Sequence, residues 1–292
     1  MNGVLILDKP AGMTSHDVVD IVRRATAERS VGHLGTLDPM ATGVLPLLLG
    51  NYTRLAQYFS TAEKAYEGTI RFGFATDTYD AEGTPATDPR PLTQSLDELR
   101  TLASRFRGEM QQTPPVFSAK KINGVPAHKL ARAGKPVQVK AATIRIQHFQ
   151  LLSLEGDVAS FVIQVSAGGY VRSVAHDLGE LAGCGAHLAT LRRTRTGPFT
   201  LADAITVDEL KSLAGAPGRI QQRLPHPRTL LPHMPCVTVD EQTAGRIRNG
   251  MQVNLPEFSS AELVKVFTTP TDILALVRRV AGTLMQPVTV LN

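Results

Sequence analysis

The chain has 292 residues, enough for one sizeable domain and a small second one. Its composition, 42% hydrophobic and 20% charged, is typical of a soluble globular protein, and no apolar run reaches the roughly 20 residues that a membrane helix needs. Its two cysteines lack a Cys-x-x-Cys spacing, which argues against a zinc site, and the absence of a signal-peptide core predicts a cytoplasmic protein.

Basic residues are concentrated in parts of the chain. The sequence pI is near 9.4. Residues 101–140 contain eight Lys or Arg against one acid, and a second basic cluster comprises Arg192, Arg193 and Arg195. Such clusters can neutralise phosphates and release counterions. A nucleic-acid partner is therefore favoured over the alternative of a solvated surface face.

The first part of the chain alternates short strands with helices. Residues 4–7 are predicted to form a buried strand, and residues 14–17 form the pattern of a capping box before a helix. The apolar face of that helix comprises Val18, Ile21, Val22 and Ala25. A strand is predicted from Val44, a helix over roughly 53–60 and a strand over 66–72.

The middle of the chain combines a long loop with a predicted hairpin. Residues 76–92 are rich in Thr, Asp, Gly and Pro and predict the loop, and residues 95–107 predict a helix. A short basic helix is expected after Pro126. Antiparallel strands are predicted over 143–154 and 158–166, joined by a turn.

The last part of the chain contains a predicted boundary. A helix follows Gly169, and its apolar face comprises Val171, Val174, Leu178 and Leu181. The Pro-rich stretch 214–235 predicts a linker region, and residues 237–240 begin a short β-rich segment that ends with 287–291. The alternation of elements has no strict βαβ rhythm, so we predict an α+β fold with a mixed sheet.

Asp38 is the most informative single residue. It is the only carboxylate between Glu28 and Glu63, and it lies among glycines, prolines and aliphatic residues. Desolvating a charge in such surroundings costs several kcal/mol on the order given for buried ions, which favours a functional role. Asp before Pro is also a good helix start, although Gly43 and Pro46 would interrupt that helix. The residues alone leave both interpretations open.

Four segments, in order along the chain, resemble motifs of the bacterial TruB family of tRNA pseudouridine-55 synthases. They are residues 3–15, the Asp38 segment 32–45, Gly-Tyr-Val-Arg at 169–172 and residues 188–199. That family isomerises a uridine in the T-loop of transfer RNA. The resemblance covers residues 1 to about 200, and the tail is similar to the family's small C-terminal domain.

The resemblance implies a domain organisation. Residues 1–232 are expected to form a mixed-sheet pseudouridine synthase catalytic domain, with a basic RNA-gripping insertion at about 113–140. Residues 233–292 are expected to form a small β-rich PUA-like RNA-binding domain.

The resemblance also implies roles for active-site residues. Asp38 is implied to be the essential acid, either as nucleophile or as acceptor of a ribose proton, and Arg172 is its counter-charge. Tyr66 is implied to stack on the extruded uracil and to assist proton exchange at C5. Tyr170 and Leu191 are implied to line the base pocket, although core packing competes as an explanation for both.

Other residues are implied to bind RNA or to support the site. His33 is implied to assist base flipping, and Lys9 and Pro10 to support the catalytic loop. The insertion is implied to contribute Lys120, Lys121, Lys129 and Arg132. The sequence departs from the family pattern, at positions that concern RNA contacts, at Leu34, Phe117 and His128.

The implied reaction breaks the bond from C1′ to N1 of uridine and rejoins the base through C5, without a redox step or an external group. We therefore expect neither a cofactor nor a metal. A single acid in the motif fits isomerisation better than glycoside hydrolysis, which normally uses two carboxylates. The expected partner is the T-arm of tRNA, bound by a monomer without a guide RNA or a membrane. A noncatalytic protein that binds or folds RNA, and a related synthase with another RNA target, remain as alternatives.

Overall fold

A ten-stranded mixed sheet and a five-stranded sheet dominate the computed structural model, which describes residues 1–118, 120–122, 124–127, 130, 133 and 139–291. The predicted α+β class is confirmed. The strands up to residue 206 are β1 (Gly3–Lys9), β2 (Val31–His33), β3 (Thr42–Leu49), β4 (Lys64–Phe72), β5 (Gly108–Gln112), β6 (Lys121–Ile122), β7 (Val125–Pro126), β8 (Ala142–Glu155), β9 (Val158–Val165), β10 (Ala186–Thr196), β11 (Phe199–Thr200) and β12 (Ile205–Thr206).

The remaining elements are the helices and the strands of the tail. The helices are α1 (Ser15–Thr26), α2 (Ala56–Phe59), α3 (Leu96–Ser104), α4 (Val171–Ala182), α5 (Val207–Ser212), α6 (Pro217–Gln221) and α7 (Glu241–Arg248). The tail strands are β13 (Cys236–Thr238), β14 (Val253–Asn254), β15 (Leu263–Phe267), β16 (Ile273–Ala281) and β17 (Leu284–Val290). No helix in the described ranges has the length and apolar character needed to cross a membrane.

The large sheet has the order β12-β1-β3-β10-β4-β9-β8-β5, with β2 on β3 and β11 on β10; the small pair β6–β7 lies apart. Strands β3 and β10 run parallel, with Gly43 opposite Arg193, and β10 runs antiparallel to β4, with Arg193 opposite Tyr66. A Cβ on Gly43 would lie 2.2 Å from the carbonyl oxygen of Arg193, so only glycine fits this crossing of strands. The register brings the loop that carries Asp38 beside the middle of β10.

Local patterns predicted several elements correctly. Helix α1 begins with the expected capping box, in which the Thr14 side chain accepts from the Asp17 backbone and the Asp17 side chain accepts from the Thr14 backbone. Strands β8 and β9 form the expected hairpin. The predicted helix at 53–60 is instead a 3₁₀ helix over Gly50–Leu55 followed by the single turn of α2.

Two predictions about apolar positions and loops are wrong. Leu181, expected on the inner face of α4, is 38% exposed, and the next residue, Ala182, is buried instead. The stretch 214–235 is packed and does not act as an open linker. It contains α6, and its buried side chains are Ile220, Leu230, Leu231 and Met234.

The tail forms a sheet with the order β13-β15-β16-β17-β14. Its inner side chains join a hydrophobic cluster with the large sheet, in which Phe267 and Ile273 from the tail share one core with Val4 and Val44. The Tyr58 hydroxyl also lies 2.7 Å from Thr289 Oγ1. The predicted boundary is therefore crossed by buried apolar contacts.

Candidate active site

Five of the predicted site residues line one cleft between the Asp38 loop, β4, β10 and the start of α4. They are Asp38, Tyr66, Tyr170, Arg172 and Leu191. The void of the cleft, including space open to solvent, is about 820 Å³. These residues are far apart in the sequence, and the β3–β10–β4 register brings them together.

Asp38 and Arg172 form a two-point ion pair. Arg172 Nε lies 2.9 Å from Asp38 Oδ2, and Arg172 Nη2 donates to Asp38 Oδ1 at 3.3 Å. Arg172 is 6% exposed and occupies the second position of α4, whereas a third of the Asp38 side chain remains exposed. The pair fixes the orientation of the carboxylate and leaves part of it accessible from the cleft.

A second carboxylate, which the sequence analysis did not identify, lies on the same guanidinium. Asp80 Oδ2 is 3.3 Å from Arg172 Nη1, and Asp80 is 3% exposed. The guanidinium also donates to the carbonyls of Thr78 at 3.1 Å and Phe117 at 2.9 Å. Asp80 belongs to the long loop 76–92, whose composition predicts only a loop. Within the described part of the chain, no three His, Cys, Asp or Glu side chains are arranged as metal ligands.

The charges around Asp38 act in opposite directions on its pKa. Burial raises the pKa of Asp38, the positive charge of Arg172 opposes that increase, and the negative charge of Asp80 adds to it. Lys9 makes a smaller lowering contribution. Asp38 is therefore a partly desolvated acid whose anion depends on Arg172.

Two tyrosines shape the cleft. Tyr66 is 7% exposed on β4, and its hydroxyl makes no hydrogen bond within the described residues. Burial raises the pKa of Tyr170, and a hydrogen bond with the Ser118 side chain opposes that increase.

Gln112, another residue that the sequence analysis missed, holds the backbone of Tyr170. The Gln112 side chain accepts from Tyr170 N at 2.8 Å and donates to Tyr170 O at 3.0 Å. Gln112 is 2% exposed. This clamp fixes the residue that caps α4, directly before Val171 and Arg172.

Lys9 donates a hydrogen bond to the loop that carries Asp38. It is fully buried, and its ammonium donates to the carbonyls of Pro10 at 2.9 Å, Met13 at 2.6 Å and Pro39 at 3.1 Å. Burial lowers its pKa to about 8. Pro10 itself is exposed and supplies one of the three acceptors. The Lys9 ammonium thus links the end of β1 to Pro39, the residue after Asp38.

The basic cluster after Leu191 has a different role from the one predicted. Arg193 is fully buried and donates to the carbonyls of Val44 at 2.7 Å, Gly35 at 3.1 Å and Thr36 at 3.4 Å. Arg192 pairs with Asp8 at 2.7 Å. The prediction that this cluster meets RNA phosphates is therefore wrong for Arg193, which holds the backbone of the Asp38 loop.

The remaining predicted RNA-binding residues lie outside the cleft or outside the described residues. His33 lies on β2, and its Nδ1 is buried without a hydrogen-bond partner among the described residues. Burial and the charge of Arg193 lower its pKa. Lys120 donates to the Lys140 carbonyl at 2.8 Å, and Lys121 begins β6. Outside the described residues lie His128, Lys129 and Arg132.

Two family models match successive parts of the chain. The model of the TruB family pseudouridylate synthase N-terminal domain matches residues 23–171. The model of the tRNA pseudouridylate synthase B C-terminal domain matches residues 172–224. The first match covers the segments that carry Asp38, Tyr66 and Tyr170.

Bacterial proteins of known name are similar over most or all of the chain. The tRNA pseudouridine synthase B of Solibacter usitatus is 44% identical over 294 residues, which span 100% of each chain. The protein of the same name from Opitutus terrae is 46% identical over 215 residues, covering 73% of this chain and 88% of its own. That of Geobacter sulfurreducens is 43% identical, covering 86% and 82%.

Solved structures share the architecture. A chain in the crystal structure of a Cbf5–Nop10–Gar1 complex aligns with a TM-score of 0.71 and 26% identity, covering 99% of this chain and 85% of that one. A chain of the archaeal box H/ACA Nop10–Cbf5 complex aligns with a TM-score of 0.70 and 24% identity, covering 99% and 86%. At 24% identity, the alignment with the Nop10–Cbf5 chain shows a shared fold alone.

Proposed function

The chain belongs to the TruB family of pseudouridylate synthases and forms pseudouridine in tRNA, and we propose that uridine 55 of the T-loop is its target and Asp38 its essential acid. The observation that carries this proposal is the two-point pair of Asp38 and Arg172 at the wall of a cleft that Tyr66, Tyr170 and Leu191 also line. The pair holds one carboxylate in a fixed orientation at the place where the base enters.

Asp38 acts as an anion in the proposed reaction, either by attack on the nucleoside or by removal of a ribose proton. The N1–C1′ bond breaks, the uracil turns, and a C5–C1′ bond forms. C5 then loses its proton and N1 carries one, so the product is an isomer of the substrate. Arg172 orients the carboxylate and opposes the increase of its pKa that burial causes, and so favours the anion that either role needs.

Tyr66 and Tyr170 are proposed to hold the uracil inside the cleft. Aromatic rings stack on unpaired bases, and Tyr66 lies with Leu191 on neighbouring strands of the cleft wall. The hydroxyl of Tyr66, a residue of the cleft wall, is proposed to assist the proton exchange at C5.

The base must leave its stack to reach Asp38, which costs a few kcal/mol for an unpairing step. We propose that the basic insertion at about 113–140 and the tail bind the T-arm and stabilise the extruded nucleotide. Lys120, Lys121, Lys129 and Arg132 are the proposed phosphate-binding residues of the insertion. His33 is proposed to lie against the displaced loop nucleotides.

The domain division at residues 232 and 233 also remains a proposal, supported by the separate sheet that begins at Cys236. We propose that the enzyme acts on tRNA as a monomer in the cytoplasm, without a guide RNA. The full-length match to a bacterial relative named as a tRNA pseudouridine synthase supports action by this chain alone.

Tritium release tests the proposed function. An unmodified tRNA transcript labelled with tritium at uracil C5 is incubated with wild type, with Asp38→Asn and with Asp97→Asn, which alters an 89% exposed acid. Wild type and Asp97→Asn should release tritium, and the modified base should map to position 55. Asp38→Asn should bind the transcript and release none.

The outcomes separate the alternatives. Release by Asp38→Asn would overturn the role of that acid. Tight binding without release by wild type would favour the noncatalytic protein, and release from another position or another RNA would favour a synthase with a different target.

A further inference from the structure

Lys64 lines the cleft and has no acidic partner there. It is the first residue of β4, two positions before Tyr66. Its ammonium donates to the Ala62 carbonyl at 3.2 Å, and no carboxylate of the described residues lies within 4.0 Å of it. The neighbouring acid, Glu63, is occupied by the side-chain amides of Gln147 and Gln164.

A second cation lies close to Lys64 beneath the turn at Gly35. A Cβ built on Gly35 would lie 3.1 Å from Lys64 Cε and 3.6 Å from Arg193 Nη1. Burial, and secondly the charge of Arg193, lower the pKa of Lys64 to about 8, so it remains mostly protonated at neutral pH. The guanidinium of Arg193 donates to the backbone carbonyls of Val44 and Gly35. The positive charge of Lys64 is therefore left without a matching anion among the residues that the structure describes.

The hydrogen bonds of Lys9 differ from those of Lys64. Its ammonium has three carbonyl acceptors between 2.6 and 3.1 Å and is fully buried. Lys64 has a single acceptor at 3.2 Å, so two of its three donor hydrogens face no acceptor of the described chain. Its position on the cleft wall makes those donors available to a ligand.

We propose that Lys64 binds a phosphodiester adjacent to the target uridine and so positions the extruded nucleotide. The inference rests on the proposed function, because a tRNA substrate brings a phosphate on each side of the base into or near the cleft. The other cation of the cleft, Arg172, is already paired with Asp38 and Asp80. Lys64 is thus the cation of the cleft that a phosphate can use.

Charge-changing variants test this role. Lys64→Gln should weaken binding of unmodified tRNA by about tenfold, the lower end for a hydrogen bond to a charged group. The plot of log Kd against log salt should become flatter by about 0.7, as for one lost phosphate contact in single-stranded RNA. Lys64→Arg should bind within a few-fold of wild type. Lys211→Gln, which removes a lysine paired with Asp208 outside the cleft, is the matched control.

Substrate chemistry locates the contact. T-arm RNAs carry a neutral methylphosphonate on either the 5′ or the 3′ side of the target uridine, and each is bound to wild type and to Lys64→Gln. At one of the two positions the methylphosphonate should weaken RNA binding by wild type about tenfold and leave binding by Lys64→Gln unchanged. At the other position it should weaken RNA binding by both proteins by the same factor.

If the methylphosphonate lowered the RNA affinity of both proteins equally at both positions, the contact would be overturned. The same would follow if Lys64→Arg and Lys64→Gln lowered tRNA affinity equally. Tritium release by wild type on the unmodified transcript is measured in the same series. Its absence would overturn the proposed function, whereas release with additive methylphosphonate effects would overturn only the role of Lys64.

Discussion

At the residue scale, burial and the charges of Arg172 and Asp80 together determine the direction in which the pKa of Asp38 departs from its ordinary value. Arg172 lowers the pKa of Asp38, while burial and the nearby Asp80 raise it. The proposed chemistry needs the carboxylate anion, so the rate should fall as the pH falls through this pKa. The acidic limb of the pH–rate profile therefore reports the balance of the three side chains.

Replacing the two neighbours should move the acidic limb in opposite directions. Arg172→Gln removes the charge that lowers the pKa of Asp38, so the limb should move to higher pH. Asp80→Asn removes a charge that raises this pKa, so the limb should move to lower pH. Single-turnover pseudouridine formation at saturating tRNA, followed across the acidic range, measures both shifts. Movement in the same direction would contradict the electrostatic account.

Lys9→Met should loosen the loop that carries Asp38. It removes the lysine donor from the carbonyls of Pro10, Met13 and Pro39, of which that of Pro39 still accepts from Gly12 N at 2.9 Å. A buried acceptor left unpaired costs about 1–3 kcal/mol. We expect a lower melting temperature and a single-turnover rate that falls more than tRNA affinity, with the exposed Lys211→Met as control. A lower melting temperature with an unchanged rate would limit Lys9 to a role in stability.

The sequence predicted the contents of the cleft better than its supports. Asp38 and Arg172 lie in segments that resemble family motifs, and the resemblance also implies a role for Tyr66; the structure places all three on one cleft. Asp80 and Gln112 were missed because their partners lie tens of residues away and each is an ordinary residue of its segment. Such contacts follow from strand register, which local composition does not encode.

At the element scale, helix α4 makes more than one contact with the loop 76–92, which lies between β4 and α3. Arg172 and His176 are four residues apart and so share a helix face. Arg172 binds the carbonyl of Thr78, and the His176 ring stacks on Tyr79 with centroids 3.8 Å apart and planes at 10°. Tyr79 has φ of +65°, a conformation uncommon for a residue with a side chain. The stack therefore helps hold a strained residue directly before Asp80.

His176→Ala should slow the chemical step without weakening tRNA binding equally. An aromatic pair is worth about 0.5–1.5 kcal/mol, so we expect a roughly 2- to 10-fold lower single-turnover rate. His176→Phe keeps a ring and should restore most of the rate. The exposed His16→Ala serves as control. Equal rates for the Ala and Phe variants would show that the stack does not position Asp80.

Strand β10 shows where prediction of elements failed. Residues 186–196 form a central strand, yet no strand was predicted there, because the segment contains Arg192, Arg193 and Arg195. Isolated charges in a central strand are costly. The structure satisfies the charge of Arg193 with backbone carbonyls of the Asp38 loop, which only the assembled sheet supplies.

At the scale of the whole molecule, the two sheets share one apolar core. Phe267 of β15 is fully buried in a cluster with Val4 and Val44 of the large sheet, and Arg228 lies 4.3 Å from its ring centroid. Sharing a core couples the stability of the tail to that of the catalytic sheet. We therefore expect the chain to unfold in one transition.

Phe267→Ala should destabilise the whole chain. Truncating a buried Phe costs about 3–5 kcal/mol, and the single calorimetric transition should move to lower temperature. Phe258→Ala, in the same tail but 83% exposed, should leave the transition nearly unchanged. Two transitions of which only one moves would contradict a shared core.

The parallel contact of β3 with β10 also sets an order of events during synthesis. Asp38 is synthesised early. Arg172, which pairs with its carboxylate, follows 134 residues later, and Arg193, which donates to the carbonyls of its loop, is synthesised later still. At translation rates of 5–20 residues per second, the gap between Asp38 and Arg172 lasts roughly 7–27 s. During that interval the nascent chain carries Asp38 without the guanidinium that pairs with it in the folded cleft. The pair of Asp38 and Arg172 can therefore form only when more than half of the polypeptide has left the ribosome.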